Sequence, residues 1–238
     1  PGDRLEGYTN FLWILLSVPA FWLGVDPIVW VKAMGCFFGQ LGLVVTWLLG
    51  RQLAGGRSDG YSLVAPILFA TSSSVVLWSQ GGLEPNLMAV LCSGGTGLAM
   101  LLFAAQDRDD PRALRLAVGA GTLLALAGLT RPDAHLFPAM AGLAFGIDAL
   151  RRRRISRAVW LLGAVIVGVL VPYHAFRVLY FGDLFPNTMY VKASAGPEVW
   201  GRGLQFVKEL LTFNANAAVF ALAPFALLSP RSRAVRLW

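Results

Sequence analysis

Four short stretches of the chain carry side chains able to do chemistry. Tyr180 to Lys192 follows a long apolar run and holds Asp183, Asn187, Thr188, Tyr190 and Lys192 around Gly182 and Pro186. The others are Asp3 to Asn10 with Arg4, Glu6 and Tyr8, Gly81 to Asn86 with Glu84, and Thr130 to His135 with Arg131, Asp133 and His135. A carboxylate can take a proton from a reacting hydroxyl. A guanidinium fork matches phosphate oxygens, and a lysine adds a point charge. Glu84 stands nearly alone between two apolar runs, where an acid reads as functional by default. A second reading is open: with Pro85 behind it, Glu84 caps the next helix. Asp133 and His135 have the same alternative, and Arg131 can snorkel to headgroups. Arg177 and Lys192 flank the last stretch, where Tyr173, Tyr180 and Tyr190 suit an interfacial aromatic belt. A belt requires neither Asp183 nor Asn187. The acids Glu6, Glu84, Asp133 and Asp183 could together face a divalent cation through oxygen ligands, but no metal is specified. His174, inside an apolar run, reads as a hydrogen-bonded core residue. No His/Cys metal cluster, Ser-His-Asp order, phosphate-binding glycine loop or dinucleotide fingerprint occurs.

The elements that must position these groups are apolar. Of 238 residues, 56% are hydrophobic and 14% charged, with mean hydropathy +0.62, against about 25% charged in soluble domains. The composition specifies an all-α polytopic membrane protein. Apolar runs cover residues 11–24, 28–50, 61–79, 87–105, 114–129, 136–150, 158–180 and 215–229. A span needs roughly 17 to 25 residues. The first run is short and contains Pro19, so it is expected to be a re-entrant or surface-lying helix, leaving about seven transmembrane helices. Basic residues support that count, because cytoplasmic loops collect Lys and Arg. With seven spans, thirteen fall on one side (Arg51, Arg57, Arg108, Arg112, Arg115, Arg151 to Arg154, Arg157, Arg231, Arg233, Arg236) and six on the other. All four polar stretches then share the extracytoplasmic side. The net charge of +7 sits in loops between spans, which suits topology and anionic lipid rather than nucleic acid. Cys36 and Cys92 lie inside apolar runs, so neither disulfide nor zinc is indicated.

A single transmembrane domain is therefore expected. Residues 1–27 form an outer loop with a juxtamembrane or re-entrant helix, and 28–180 a six-span core. An outer loop with an amphipathic helix fills 181–213, and 214–238 make the final span and a basic cytoplasmic end. Between Pro197 and Phe213, Trp200, Leu204, Val207 and Leu211 recur at helical spacing opposite Arg202, Lys208 and Glu209, a pattern for a helix lying on the membrane surface. With no initiator Met and a charged opening, the chain is expected to be part of a longer protein.

Tyr180-Phe181-Gly182-Asp183 through Pro186-Asn187-Thr188-Met189-Tyr190-Val191-Lys192 resembles the Tyr-Gly-Asp-x-x-Pro-Asn-Thr-x-Tyr-x-Lys signature of terminal arabinofuranosyltransferases of the GT-C superfamily. Three more stretches match in the same order: Arg4-Leu5-Glu6-Gly7-Tyr8-Thr9-Asn10, Gly82-Leu83-Glu84, and Thr130-Arg131-Pro132-Asp133. Asp133 stands where the family has Glu, and Pro85-Asn86 follows Glu84 where small or hydroxyl residues are common. The resemblance implies a GT-C-type helical bundle in a bacterial plasma membrane, moving a sugar such as arabinofuranose from a polyprenyl-phosphate donor to a glycan acceptor on the outer face. It implies catalytic or supporting roles for Glu84, Glu6 and Asp133. Donor phosphate contacts would come from Arg131, Lys192, Tyr190, Asn187, Asp183 and Arg177, and acceptor positioning from Tyr8, Asn10 and His135. The family's catalytic acidic pair is expected upstream of Pro1. The competing class is a transporter or flippase of a lipid-linked saccharide.

Overall fold

The computed structural model describes residues 4–54, 56, 60–106, 111–183, 186–192 and 197–212. Among these residues ten α-helices follow one another: α1 (Phe11–Trp22), α2 (Pro27–Leu53), α3 (Gly60–Thr71), α4 (Ser73–Gly81), α5 (Pro85–Gln106), α6 (Ala113–Thr130), α7 (Leu136–Arg152), α8 (Arg157–Phe181), α9 (Asn187–Lys192) and α10 (Pro197–Thr212), with a 3-10 turn at Pro132–His135. No strand occurs among the described residues. The chain is a helical membrane protein. Helices α2, α5, α6 and α8 are long and apolar enough to cross a bilayer, and α3 with α4 would make a fifth span as a bent pair.

Two differences from the expected seven spans have local causes. The run 61–79 breaks at Ser72, whose backbone is extended (φ −69°, ψ 116°), and the halves meet at 59°. Thr71 turns its hydroxyl onto the carbonyls of Ile67 and Leu68, and three serines follow; such hydroxyls compete with the helical ladder. Helix α7 has 17 residues, about 25 Å at 1.5 Å each, short of a bilayer core. The run 215–229 lies outside the described residues.

Start signals are satisfied where they matter. Asp26 Oδ1 accepts from the amides of Ile28 (2.7 Å) and Val29 (3.4 Å), with Pro27 opening α2. Ser156 Oγ accepts from the Val159 amide at the start of α8. Small residues set the packing, as they must where lipid tails are as apolar as leucine. Gly35, Gly39 and Gly42 form the buried face of α2; a Cβ on Gly35 would lie 2.6 Å from the Ser79 carbonyl oxygen, and one on Gly42 2.5 Å from the Phe69 ring. A core of Ala99, Leu102, Phe103, Ala117, Ala120, Phe145, Ala158 and Leu162 joins α5, α6, α7 and α8. α5 packs along α6, α6 along α8, and α2 holds α3, α4 and α5.

These helices run alternately up and down, so the junctions α4–α5 and α6–α7 and the end of α8 meet at one end of the bundle. Arg51, Arg112, Arg115, Arg151 to Arg154 and Arg157 lie at the other end. There Asp148 accepts from Gln106 Nε2 (3.0 Å) and pairs with Arg152 (2.6 Å), while Ser156 donates to Gln106 (3.1 Å). α1, only 12 residues long, packs on α2 and α6, with Trp30 of α2 donating to the Leu16 carbonyl, and its Phe11 meets the Tyr173 ring of α8 at 4.8 Å. The expected amphipathic helix is α10, whose Trp200, Leu204 and Phe206 are exposed.

Candidate functional site

Gly82 ends α4 in the left-handed region (φ +68°) and turns the chain so that Glu84 opens α5, its carbonyl accepting from the Met88 amide. The Glu84 side chain does not cap the helix. It is buried; Oε2 accepts from Asn10 Nδ2 at 3.0 Å and Oε1 from Arg131 at 3.0 Å. Arg131 ends α6 in extended backbone and uses its other face on Asp133, Nε to Oδ1 at 2.9 Å and the second terminal nitrogen to Oδ2 at 3.3 Å. Two carboxylates thus share one guanidinium. Their hydrogen bonds, that to Asp133 first, raise the Arg131 pKa against the opposing effect of burial. The Asp133 side chain is 59% exposed and that of Glu84 7%, so Asp133 is the more easily displaced of the two.

A second pair lies deeper. Glu6 and Arg177, 171 positions apart, meet at 2.8 Å (Nε to Oε2) and 2.7 Å, both side chains only 3% exposed. Arg177 also stands over the Tyr173 ring at 5.5 Å. The Glu6 carbonyl accepts from the Asn187 amide at 3.2 Å, which brings α9 to the site. Burial, then the Glu6 carboxylate, push the Tyr8 phenol up from its ordinary value, so it stays neutral. Arg177 is thereby a structural cation as well as a wall of the site.

The two pairs are joined through histidines. His135 Nδ1 lies 2.9 Å from the Pro132 carbonyl, His135 Nε2 lies 3.1 Å from His174 Nε2, and His174 Nδ1 lies 3.5 Å from Arg177. A carbonyl only accepts, so His135 carries its proton on Nδ1, and its bare Nε2 accepts from His174 Nε2–H. His174 Nδ1 is then bare and accepts from Arg177. The chain of bonds runs one way, with both rings neutral and in opposite tautomers. Together with the backbone at 6–10 and 131–132, it closes a ring through Glu6, Arg177, His174, His135, Pro132, Arg131, Glu84 and Asn10. Against its histidine side lies a cavity of about 350 Å³ walled by Thr9, Gly128, Pro132, His135, Tyr173, His174, Arg177 and Pro186. A larger one, about 1010 Å³, lies between α7 and α8 toward the arginine-rich end, with apolar walls such as Leu143, Ile147 and Trp160; it touches none of these groups.

Eight sequence-predicted residues meet here: Glu6, Tyr8, Asn10, Glu84, Arg131, Asp133, His135 and Arg177. Asn187 joins through its backbone, while Asp183 and Tyr190 are exposed. Lys192 ends α9, and its side chain lies outside the described part. Sequence reasoning left His174 in the core and passed over Thr9. The spacing of His174 and Arg177, three apart on one helix face, was the available signal. It also left Asn86 as a motif departure, although its Nδ2 is buried against Ser79 Oγ (2.8 Å) and the carbonyls of Gly35 and Val75 (3.3 Å each). Asn86 locks the α2–α4–α5 junction beneath Glu84. Among the described residues no group of three or more His, Cys, Asp or Glu side chains could hold a metal ion; the acids meet arginines instead.

Fold and site together define a helical membrane protein with a closed polar ring at one end of its bundle. The chain is 26% identical over 219 residues to the terminal beta-(1->2)-arabinofuranosyltransferase of Mycobacterium tuberculosis, an alignment covering 87% of this chain and 33% of that protein. The likeness marks a distant relationship, and the chain spans about a third of that relative's length. No family model matches the chain, and no solved structure does.

Proposed function

We propose that this chain contributes the polar end of a membrane glycosyltransferase that moves a sugar, arabinofuranose in the closest reading of the relative's name, from a polyprenyl-phosphate donor to a cell-envelope glycan. The observation that carries this is the closed ring of Glu84, Arg131, Glu6 and Arg177, assembled from sequence stretches far apart in a chain distantly related to an arabinofuranosyltransferase. In this reading the bundle is GT-C-like, with about seven spans, and the ring faces the outside of a bacterial plasma membrane. The sugar–phosphate bond breaks, the polyprenyl phosphate leaves with the electron pair, and the acceptor oxygen bonds the anomeric carbon. Arg131 and Lys192 offset charge on the leaving phosphate, as preorganised cations do. Both Glu84 oxygens already accept hydrogen bonds, which suits it to holding Arg131. The acceptor's proton passes to a carboxylate base.

The test is transfer of radiolabelled pentose from a polyprenyl-phosphate pentose to a glycan acceptor in membranes holding the protein, beside Arg131→Ala and Glu84→Gln. Loss of transfer in both variants at normal expression is expected; full transfer by both would refute the site. The 59° break between α3 and α4 favours the second reading, a transporter of a lipid-linked saccharide, since broken helices serve transporters. Such a protein moves the donor between leaflets without cleaving it, which the same membranes would show.

A further inference from the structure

The cavity beside the histidine pair has a chemistry of its own, and its reading rests on the glycosyltransferase proposal above. At about 350 Å³ it falls in the range of small-molecule sites, about 300 to 1,000 Å³, where a few polar groups orient a ligand against apolar walls. Its cation already has a counter-charge: Arg177 is ion-paired to Glu6 and bonded to His174, with a side chain 3% exposed, and its buried Nη2 has no hydrogen-bond partner among the described residues. A phosphate dianion there would have to draw Arg177 from Glu6 and leave a buried carboxylate uncompensated. The two imidazoles are neutral and bonded to one another. The cavity also presents Thr9, Tyr173, Pro132 and surfaces such as Gly128 and Pro186. That set fits a ring with hydroxyl groups and C–H faces, and no net charge.

We propose that this cavity is a subsite for an uncharged sugar ring and that the phosphate of a lipid-linked donor stays outside it, on the Arg131 side. Gly128 forms part of the wall: a Cβ there would lie 3.0 Å from Leu170 Cδ2 and 3.3 Å from His135 Nε2, so the added methyl both narrows the cavity and presses on the histidine pair.

His135 and His174 both line the cavity, so their ring nitrogens report on its contents. The experiment uses protein carrying ¹⁵N-histidine in lipid nanodiscs, with the two residues assigned from His135→Gln and His174→Gln spectra. Without ligand at neutral pH, His135 should show the Nδ1–H tautomer and His174 the Nε2–H tautomer. Methyl α-D-arabinofuranoside should shift both sets of signals, and inorganic phosphate at equal concentration should leave them in place. Gly128→Ala should weaken the sugar response about tenfold, the usual cost of a methyl group misplaced in a pocket. Thr9→Val, which keeps the shape and removes the hydroxyl, should weaken it with unchanged thermal stability. Shifts produced by phosphate in place of the sugar, competition between the two, or cationic imidazoles at neutral pH would overturn the proposal. In transfer assays the same Thr9→Val protein separates the sources: a raised KM for donor places the donor's sugar in the cavity, and a raised KM for acceptor places a residue of the glycan there. Sugar binding without any transfer would sink the glycosyltransferase reading and leave the subsite standing.

Discussion

Removing Arg177 should damage this protein more than removing any exposed arginine, and the reason can be worked from its pair. Glu6 and Arg177 meet at 2.7 to 2.8 Å with both side chains 3% exposed, so neither charge has water to fall back on. Arg177→Met leaves the Glu6 carboxylate buried and alone, and takes the donor from His174 Nδ1. Glu6→Leu leaves Arg177 in the converse state. Breaking a buried pair from one side costs about 3 to 5 kcal/mol, whereas replacing both partners with apolar groups is often neutral. Each single variant should therefore lose about 3 to 5 kcal/mol, and Glu6→Leu with Arg177→Met should lose less than either, not the sum. The assay is equilibrium unfolding in mixed detergent micelles, followed by tryptophan fluorescence and helical circular dichroism, arranged as a double-mutant cycle. Because Glu6 lies four residues from Asn10, the single variants should also loosen the Asn10 bond to Glu84. Additivity of the two substitutions within about 0.5 kcal/mol, the behaviour of independent sites, would refute the buried-pair argument.

Three further outcomes are expected. Asp133→Asn should lower the KM for a lipid-phosphate donor and Arg131→Ala should raise it, since a charge-assisted hydrogen bond is worth about 1.5 to 3 kcal/mol and the exposed Asp133 competes with the phosphate; a raised KM in Asp133→Asn would remove Arg131 from phosphate binding. Gly35→Ala should destabilise the protein by about 1 to 3 kcal/mol, as overpacking does, because the new Cβ would meet the Ser79 carbonyl at 2.6 Å; an unchanged melting temperature would contradict the α2–α4 contact. With Cys36 and Cys92 replaced, single cysteines at Ser58 and Ala195 should react with an impermeant thiol reagent from opposite sides of the membrane, and reaction from one side would refute the proposed topology.

Helix type and rough extent were legible because apolar periodicity and capping residues are local. α2, α5, α6 and α8 begin or end within a few residues of their apolar runs, at signals such as Asp26-Pro27 and Ser156. The break at Ser72 was not read, since hydropathy sums side chains over a window and is blind to a hydroxyl's competition for its own backbone. α7 shows the converse: its run borrows arginines at one end, so length and apolar length part company.

The site was legible as a set of residues and illegible as a set of partners, and charge explains the difference. One-sided placement of Glu6, Glu84, Arg131 and Arg177 follows from counting spans, since each stretch follows or precedes an apolar run. Which acid meets which base depends on depth, and depth depends on how closely the helices approach. The small residues Gly128 and Ala127 let the end of α6 come close to Leu170, His135 and the α1 residues Leu12 and Trp13, and Glu6 is buried against Arg177 nearby. Arg131 stays 38% exposed at the rim with two acids. A reading from residue types alone assigns both arginines to phosphate. The geometry separates them: an arginine that is buried and paired acts by holding its neighbours, whereas one at the rim, held by an exposed carboxylate, can exchange that carboxylate for a ligand.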